Sequence, residues 1–125
     1  MILLVDSHAL LWALAGDPRL RREARDAMAS PANDVLVSAA VVWEVAIKRA
    51  RGKLECPDNL VEAIEQTGFV GVPITLADGE AAASLPSHHA DPFDRMLVAQ
   101  ARRLGAVVVT RDPAFAAYGV DVLPA

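Results

Sequence analysis

Four acidic residues in this sequence stand where the chain is expected to leave a strand or to run through a helix beside a strand end. They are Asp6, Glu44, Asp94 and Asp112. Carboxylates that converge without a matching set of lysines or arginines repel one another, and a hard divalent cation bound through oxygen relieves that repulsion. Mg²⁺ or Mn²⁺ fits such a site best. An ion of this kind activates water and stabilises charge on a phosphate, so the expected chemistry is phosphodiester hydrolysis.

Glu44 is the most informative of the four acids. It lies in an apolar stretch, residues 41–47. Because a buried carboxylate without a partner is costly, this position requires a partner or a metal ion. The other three acids have ordinary structural alternatives, at a helix N-terminus for Asp6 and Asp94 and in a turn for Asp112.

The hydrophobic pattern predicts the strands that carry these acids. Short apolar runs predict strands at residues 2–5, 35–37, 69–74 and 107–109. Because helical segments separate them, the predicted fold class is α/β, a three-layer α/β/α sandwich with a central parallel sheet of four or five strands. Ligands of such sheets bind at the carboxyl ends of the strands, and Asp6 directly follows the first strand.

Capping residues predict the helices between the strands. We expect helices at 8–15 behind Ser7, 18–29 behind Asp17, 39–51 behind Ser38, 57–67 from Pro57, 75–85 with a capping box of Thr75 and Asp78, and 92–104 behind Asp91. This assignment places Glu44 inside the third helix and Asp94 in the first turn of the last one.

Composition limits the class of protein. The chain has 125 residues, the usual size of one domain, and 54% of them are apolar but few are aromatic, which indicates an aliphatic core. No apolar stretch approaches the ~20 residues of a membrane span, and residues 1–6 lack the basic region of a signal peptide. The single Cys56 forms neither an internal disulfide nor a cysteine-rich metal site. We therefore expect one domain, residues 1–125, that is cytoplasmic and makes no membrane contact.

The charge balance argues against broad attraction to nucleic acid. The formal net charge is −4, whereas binding to a phosphate backbone normally relies on clustered lysines and arginines. Three local basic groups exist: Arg19, Arg21, Arg22 and Arg25; Lys48, Arg49, Arg51 and Lys53; and Arg102 and Arg103. Each is ordinarily a solvated helix face, so any contact with nucleic acid must be local.

The remaining aromatic and histidine side chains are interpreted structurally. Trp12 and Trp43 are expected in core or interface packing. His88 and His89 are interpreted as loop or capping residues rather than metal ligands, because adjacent residues do not share the face that a ligand pair needs.

Four segments resemble the motifs of PIN-domain toxins of the VapC type. They are residues 5–12, 38–48 with 52–54, 88–101 and 110–112, and Phe115 and Tyr118 follow as in that family. The resemblance spans the whole chain in order. It implies a metal-dependent endoribonuclease, the toxin component of a type II toxin–antitoxin system, in which Asp6, Glu44, Asp94 and Asp112 are the catalytic, metal-binding acids.

The same resemblance implies partners as well as chemistry. It implies Mg²⁺ or Mn²⁺ as the cofactor, RNA as the substrate, a cognate VapB-type antitoxin and a homodimer. Two positions depart from the family pattern: Ser7 replaces a common Thr and keeps its hydroxyl, whereas Ala90 replaces a common basic residue and predicts a weaker RNA contact. The roles of His88, His89, Asp91 and Arg95 stay open.

Two other interpretations stand beside this one. A phosphoacceptor receiver domain has the same length, sheet class and Mg²⁺-binding acids, but it needs a lysine at the end of a late strand, and both Lys48 and Lys53 lie in mid-chain. An inactive PIN-like binding module is the other alternative, and the full set of four acids argues against it. A phosphatase with an Asp-x-Asp nucleophile after the first strand is excluded because residue 8 is His8.

Overall fold

Five parallel strands form one sheet at the centre of the computed structural model, which describes residues 1–125. The strands are β1 (Ile2–Val5), β2 (Asp34–Ser38), β3 (Val70–Val72), β4 (Val107–Thr110) and β5 (Val122–Pro124). Their order is β3-β2-β1-β4-β5, and all four pairings are parallel. The predicted α/β class with a parallel sheet flanked by helices is confirmed.

Six α-helices and one short 3-10 helix connect the strands. They are α1 (Ser7–Ala15), α2 (Arg22–Ala29), α3 (Ala39–Ala50), α4 (Leu60–Gln66), α5 (Leu76–Ala83), α6 (Pro92–Leu104) and the 3-10 helix Pro113–Tyr118. The predicted caps of three helices are confirmed, with Ser38 at α3, the Thr75 and Asp78 capping box at α5, and Asp91 at α6. None of the helices has the length and apolar content that a membrane span requires.

Two predicted helix starts are wrong for local reasons. The cap of α1 is Asp6 rather than Ser7, because the Asp6 carboxylate accepts the Ala9 N–H at 2.8 Å. Helix α2 begins at Arg22 rather than residue 18. The Asp17 carboxylate accepts both the backbone N–H and the guanidinium of Arg19, which forms a local turn in place of a helix cap.

Three further boundaries differ from prediction. Helix α4 begins at Leu60 rather than Pro57, because residues 58–59 form a turn. Strand β3 is limited to Val70–Val72, because its partner β2 ends at Ser38, which pairs with Val72 and then caps α3. The prediction missed β5, which lies at the sheet edge and has no fully buried residue.

The core surrounds β1, the central strand. Leu3, Leu4 and Val5 have no exposed surface, as expected for a strand covered on both faces. They belong to one cluster of 26 buried residues that is mainly aliphatic and includes Phe115 and Tyr118 of the 3-10 helix. The 3-10 helix is therefore anchored in the core, directly after Asp112.

Candidate functional site

A cleft of about 470 Å³ opens at the carboxyl ends of β1 and β4. This is the point at which the strand order switches from one side of β1 to the other, the usual ligand position of an open parallel sheet. Eleven residues line it, only one of them hydrophobic: Asp6, Ser7, His8, Trp12, Glu44, Lys48, Asp91, Asp94, Arg111, Asp112 and Pro113. All four acids named from the sequence lie in this one cleft.

Asp6 is held by hydrogen bonds from two elements. The register of β1 and β4 pairs Val5 with Val109, which brings Asp6 beside Thr110. The Thr110 hydroxyl donates to Asp6 Oδ2 at 2.6 Å, and the Ala9 N–H donates to Oδ1. Burial raises the pKa of Asp6 above its usual value, although both hydrogen bonds oppose that shift. The carboxylate therefore has a fixed orientation and an environment that disfavours its charge.

Glu44 has a lysine partner on its own helix. It is 5% exposed on α3, and Lys48 Nζ lies 3.0 Å from its Oε2, one turn further along. The expectation that the acids lack a matching cation is therefore wrong at this position. Lys48 is half-buried and also lines the cleft, so its positive charge stands among the acids.

Asp94 and Asp112 have opposite electrostatic environments. The pKa of Asp94, in the first turn of α6, is raised to about 7 by burial and by the negative charges of Asp91, Glu44 and Asp6, with His89 opposing. The pKa of Asp112 is lowered, because its carboxylate accepts the Ala114 N–H at 2.9 Å and also contacts His89. Asp94 is thus the acid whose negative charge is least compensated by the protein.

His89 is the site residue that the sequence interpretation missed. Its Nε2 lies 2.9 Å from Asp94 Oδ2 and 2.8 Å from Asp112 Oδ2, and its Nδ1 accepts the Asp91 backbone N–H at 3.1 Å. Burial lowers the pKa of His89, but the Asp112 hydrogen bond and the charges of Asp94, Asp112 and Asp91 together raise it above its usual value. The sequence interpretation excluded two adjacent histidines as a pair of metal ligands, but it did not consider one histidine in contact with carboxylates. His88 is exposed and packs on the Tyr118 ring instead.

Tyr118 and Arg95 fasten the loop that carries His89. The Tyr118 hydroxyl accepts the His89 backbone N–H at 2.8 Å and donates to the Pro86 carbonyl at 2.9 Å. The Arg95 guanidinium donates to five carbonyls, those of Ala82, Ala83, Leu85, Pro86 and His89. These carbonyls include the last ones of α5, which have no partner within the helix. Arg95, whose role the sequence left open, therefore ties the end of α5 to the loop and to α6.

The two tryptophans differ in environment. Trp12 is buried, with the Arg111 guanidinium 4.4 Å above its ring centroid. Trp43 is 62% exposed and contacts only the Phe93 ring edge-on at 5.3 Å among the aromatic side chains. The core alternative for Trp43 is wrong, and its place in an interface stays a prediction.

Carboxylate oxygens are the dominant donors of the cleft. His89, Asp94 and Asp112 offer one ligand atom each within 4.8 Å of one another, while Asp6 and Glu44 line the same cleft outside that trio. Oxygen donors of this kind suit a hard divalent cation. A cation would also relieve the repulsion that raises the pKa of Asp94, so the residues fit such an ion.

Fold and site together define an α/β protein with an acidic cleft at the carboxyl edge of a parallel sheet. The family model described as PIN domain matches residues 3–121. The chain belongs to the PIN-domain family. No curated protein matches it by sequence.

Solved structures of the same fold cover nearly the whole chain. VapC20 of Mycobacterium tuberculosis, a sarcin-ricin loop cleaving toxin, is 24% identical with a TM-score of 0.68, over 98% of this chain and 99% of that one. VapBC2 of Rickettsia felis bound to promoter DNA is 13% identical with a TM-score of 0.70, over 98% of both chains. DNA-bound VapBC of Salmonella typhimurium is 16% identical with a TM-score of 0.69, over 98% and 97%. At these identities the likeness shows the shared fold.

Proposed function

We propose that this chain is a metal-dependent endoribonuclease of the VapC type, the toxin component of a type II toxin–antitoxin system. One observation carries the proposal: Asp6, Glu44, Asp94 and Asp112, from four separate segments of a PIN domain, line one cleft. Residues 1–125 act as one such domain. The toxin and antitoxin complexes among the solved structures of this fold add support.

The four acids hold Mg²⁺ or Mn²⁺ in this proposal. When bound, the ion supplies an activated water and stabilises charge on the phosphate. Asp6 enters the site from a rigid strand end, and Glu44 enters from α3 with one oxygen bonded to Lys48. Asp94 gains most from the ion, because burial and neighbouring acids oppose its charge more strongly than that of the other acids.

Local cations bind the phosphodiester backbone despite the net charge of −4. Lys48 and Arg111 line the acidic cleft itself. A second groove of about 640 Å³ shares His8 and Trp12 with the cleft and also contains Arg19 and Lys53. The two grooves adjoin at His8 and Trp12, and in this proposal a single RNA strand lies across both. Basic side chains in such grooves contact the phosphate backbone of single-stranded nucleic acid.

The partners in this proposal are a VapB-type antitoxin and a second copy of the chain, in the cytoplasm. Several large apolar side chains are exposed: Met1, Trp43, Val61, Val70, Ile74 and Leu76. An apolar groove of about 330 Å³ lies beside Val61, between α3, α4 and β3. Exposed apolar surface of this kind is typical of protein interaction sites.

Cleavage of purified RNA tests the function directly. We expect the protein to cut RNA in Mg²⁺ or Mn²⁺ and not in chelator, and Asp6→Asn to abolish cutting. Asp26→Asn is the matched control, because Asp26 is an exposed acid on α2 that does not line the cleft. Cleavage that persists in chelator, or in Asp6→Asn, would refute the proposal. A protein that binds RNA and metal without cutting would identify the inactive binding module instead.

A further inference from the structure

We propose that His89 is a positioning residue, whose Nε2 donates to Asp112 and contacts Asp94 and so holds these two carboxylates together as ligands for the divalent cation. Nε2 lies within 2.9 Å of an oxygen of each acid. The inference rests on the proposed metal site and adds to it a residue whose contribution is a hydrogen-bond donor rather than a metal ligand.

The tautomer of His89 follows from its other ring nitrogen. A backbone N–H is always a donor, and that of Asp91 points at Nδ1 at 3.1 Å. Nδ1 therefore accepts, and the proton of the neutral imidazole lies on Nε2. With a proton there, Nε2 has no lone pair to offer a metal ion, but it donates to Asp112 and places positive charge density against Asp94.

The start of α6 fixes this arrangement. Asp91 caps the helix, since its side chain accepts the Phe93 N–H at 2.8 Å and Pro92 follows at the first helical position. The direction of the Asp91 N–H is therefore set by the helix. Tyr118 and Arg95 hold the backbone of His89 from the other side through its N–H and its carbonyl. The ring is thus constrained at both ends before any ion binds.

The other acids show the same kind of support. Asp6 accepts from Thr110 and from the Ala9 N–H, and Asp112 Oδ1 accepts from the Ala114 N–H. Carboxylates that bind metals are usually hydrogen-bonded by outer partners, which orient them. Asp94 has no side-chain partner in the structure other than His89. His89 is therefore the one group that orients Asp94.

Mn²⁺ binding measured by electron paramagnetic resonance tests the role without an activity assay. Loss of an outer partner typically weakens metal binding about 10–100-fold, so we expect a loss of that size in His89→Ala. His89→Gln should recover most of it, because the Gln amide N–H₂ donates from nearly the same place. His88→Ala is the matched control and should bind as the wild type does, since His88 is exposed and contacts none of the acids.

Each other result has a definite meaning. Tighter Mn²⁺ binding in His89→Ala would show that the imidazole competes with the ion, and a loss that Gln does not recover would show that His89 is a ligand. Either result overturns the inference, and so does an unchanged affinity in His89→Ala. All three results leave the proposed function intact. A wild type that binds no Mn²⁺ refutes the proposed metal site and this inference with it.

The tautomer itself is measured by nuclear magnetic resonance of protein labelled with ¹⁵N at histidine. In mildly alkaline solution we expect His89 to carry its proton on Nε2, both in chelator and in excess Mg²⁺. The dispersion of the spectrum shows that the protein is folded in both samples. A proton on Nδ1, or loss of the Nε2 proton when Mg²⁺ is added, would overturn the inference.

Discussion

The Thr110 hydroxyl donates to Asp6 Oδ2 at 2.6 Å across 104 residues of sequence. The Thr110 hydroxyl oxygen also accepts the Asp112 N–H at 3.1 Å. Thr110 therefore connects the carboxyl ends of β1 and β4 and links two of the four acids. Thr110 reaches Asp6 because β1 and β4 are neighbours in the sheet and Val5 pairs with Val109.

Replacing Thr110 with Val should destabilise the protein by about 1.5–3 kcal/mol, the usual size of a hydrogen bond to a charged group. Val has nearly the same shape but leaves a buried Asp6 oxygen without its donor. Unfolding in urea measures the loss, and Thr110→Ser, which retains the hydroxyl, should stay close to the wild type. Equal stability of the Val and Ser variants would show that the hydrogen bond contributes nothing.

In chelator, stability should fall as pH rises from about 4 to about 7. The folded-state pKa of Asp94 is about 7 and its unfolded value is about 4, so between them the folded protein binds more protons. The raised pKa values of Asp6 and His89 act in the same direction. Asp94→Asn removes the titrating group, so its thermal melts in chelator should depend less on pH and lie above the wild type at pH above 7. A steeper dependence in the Asn variant would contradict this.

Mg²⁺ should restore the stability that repulsion among the acids removes. An ion that binds the folded site alone, present at ~100 times its dissociation constant, adds about 2.7 kcal/mol. Asp94→Asn should gain less from the same concentration, and Asp26→Asn should gain as much as the wild type. Thermal melts in a Mg²⁺ series provide the measurement, and an equal gain in Asp94→Asn would place that residue outside the ion's ligands.

Lys48→Met should destabilise the protein in chelator, because it leaves the buried Glu44 carboxylate without its cation. Breaking a fully buried pair costs about 3–5 kcal/mol, and the partial exposure of Lys48 reduces the expected loss to about 1–3 kcal/mol. Glu44→Gln with Lys48→Met should recover part of this loss. Mg²⁺ should also stabilise Lys48→Met more than it stabilises the wild type. Melts in which neither Glu44→Gln nor Mg²⁺ restores the stability of Lys48→Met would show that Glu44 does not need a cation.

Local patterns predicted the elements well where one short segment decides the outcome. Ser38, the Thr75 capping box and Asp91 with Pro92 each mark a helix start within about one turn of sequence, and all three are confirmed. The partner of Glu44 was also present in the sequence, since Lys48 lies four residues on and such residues meet on a helix.

Contacts between distant segments could not be predicted in this way. His89 joins Asp112 over 23 residues and Tyr118 over 29, and both contacts depend on where β4 and the 3-10 helix pack. Strand β5 forms by pairing with the edge of β4, so it depends on where β4 lies in the sheet. The end of β3 is likewise set by its neighbour, because β2 becomes a helix cap at Ser38.

The place of β1 at the centre of the sheet has a consequence for biosynthesis. Asp6 is translated 104 residues before its partner Thr110. Asp94, Asp112 and the strand that aligns them with Asp6 are also late products of translation. A nascent chain that has not yet extended past Asp112 therefore has no complete cleft, and under the proposed function it cannot cut the message from which it is being read.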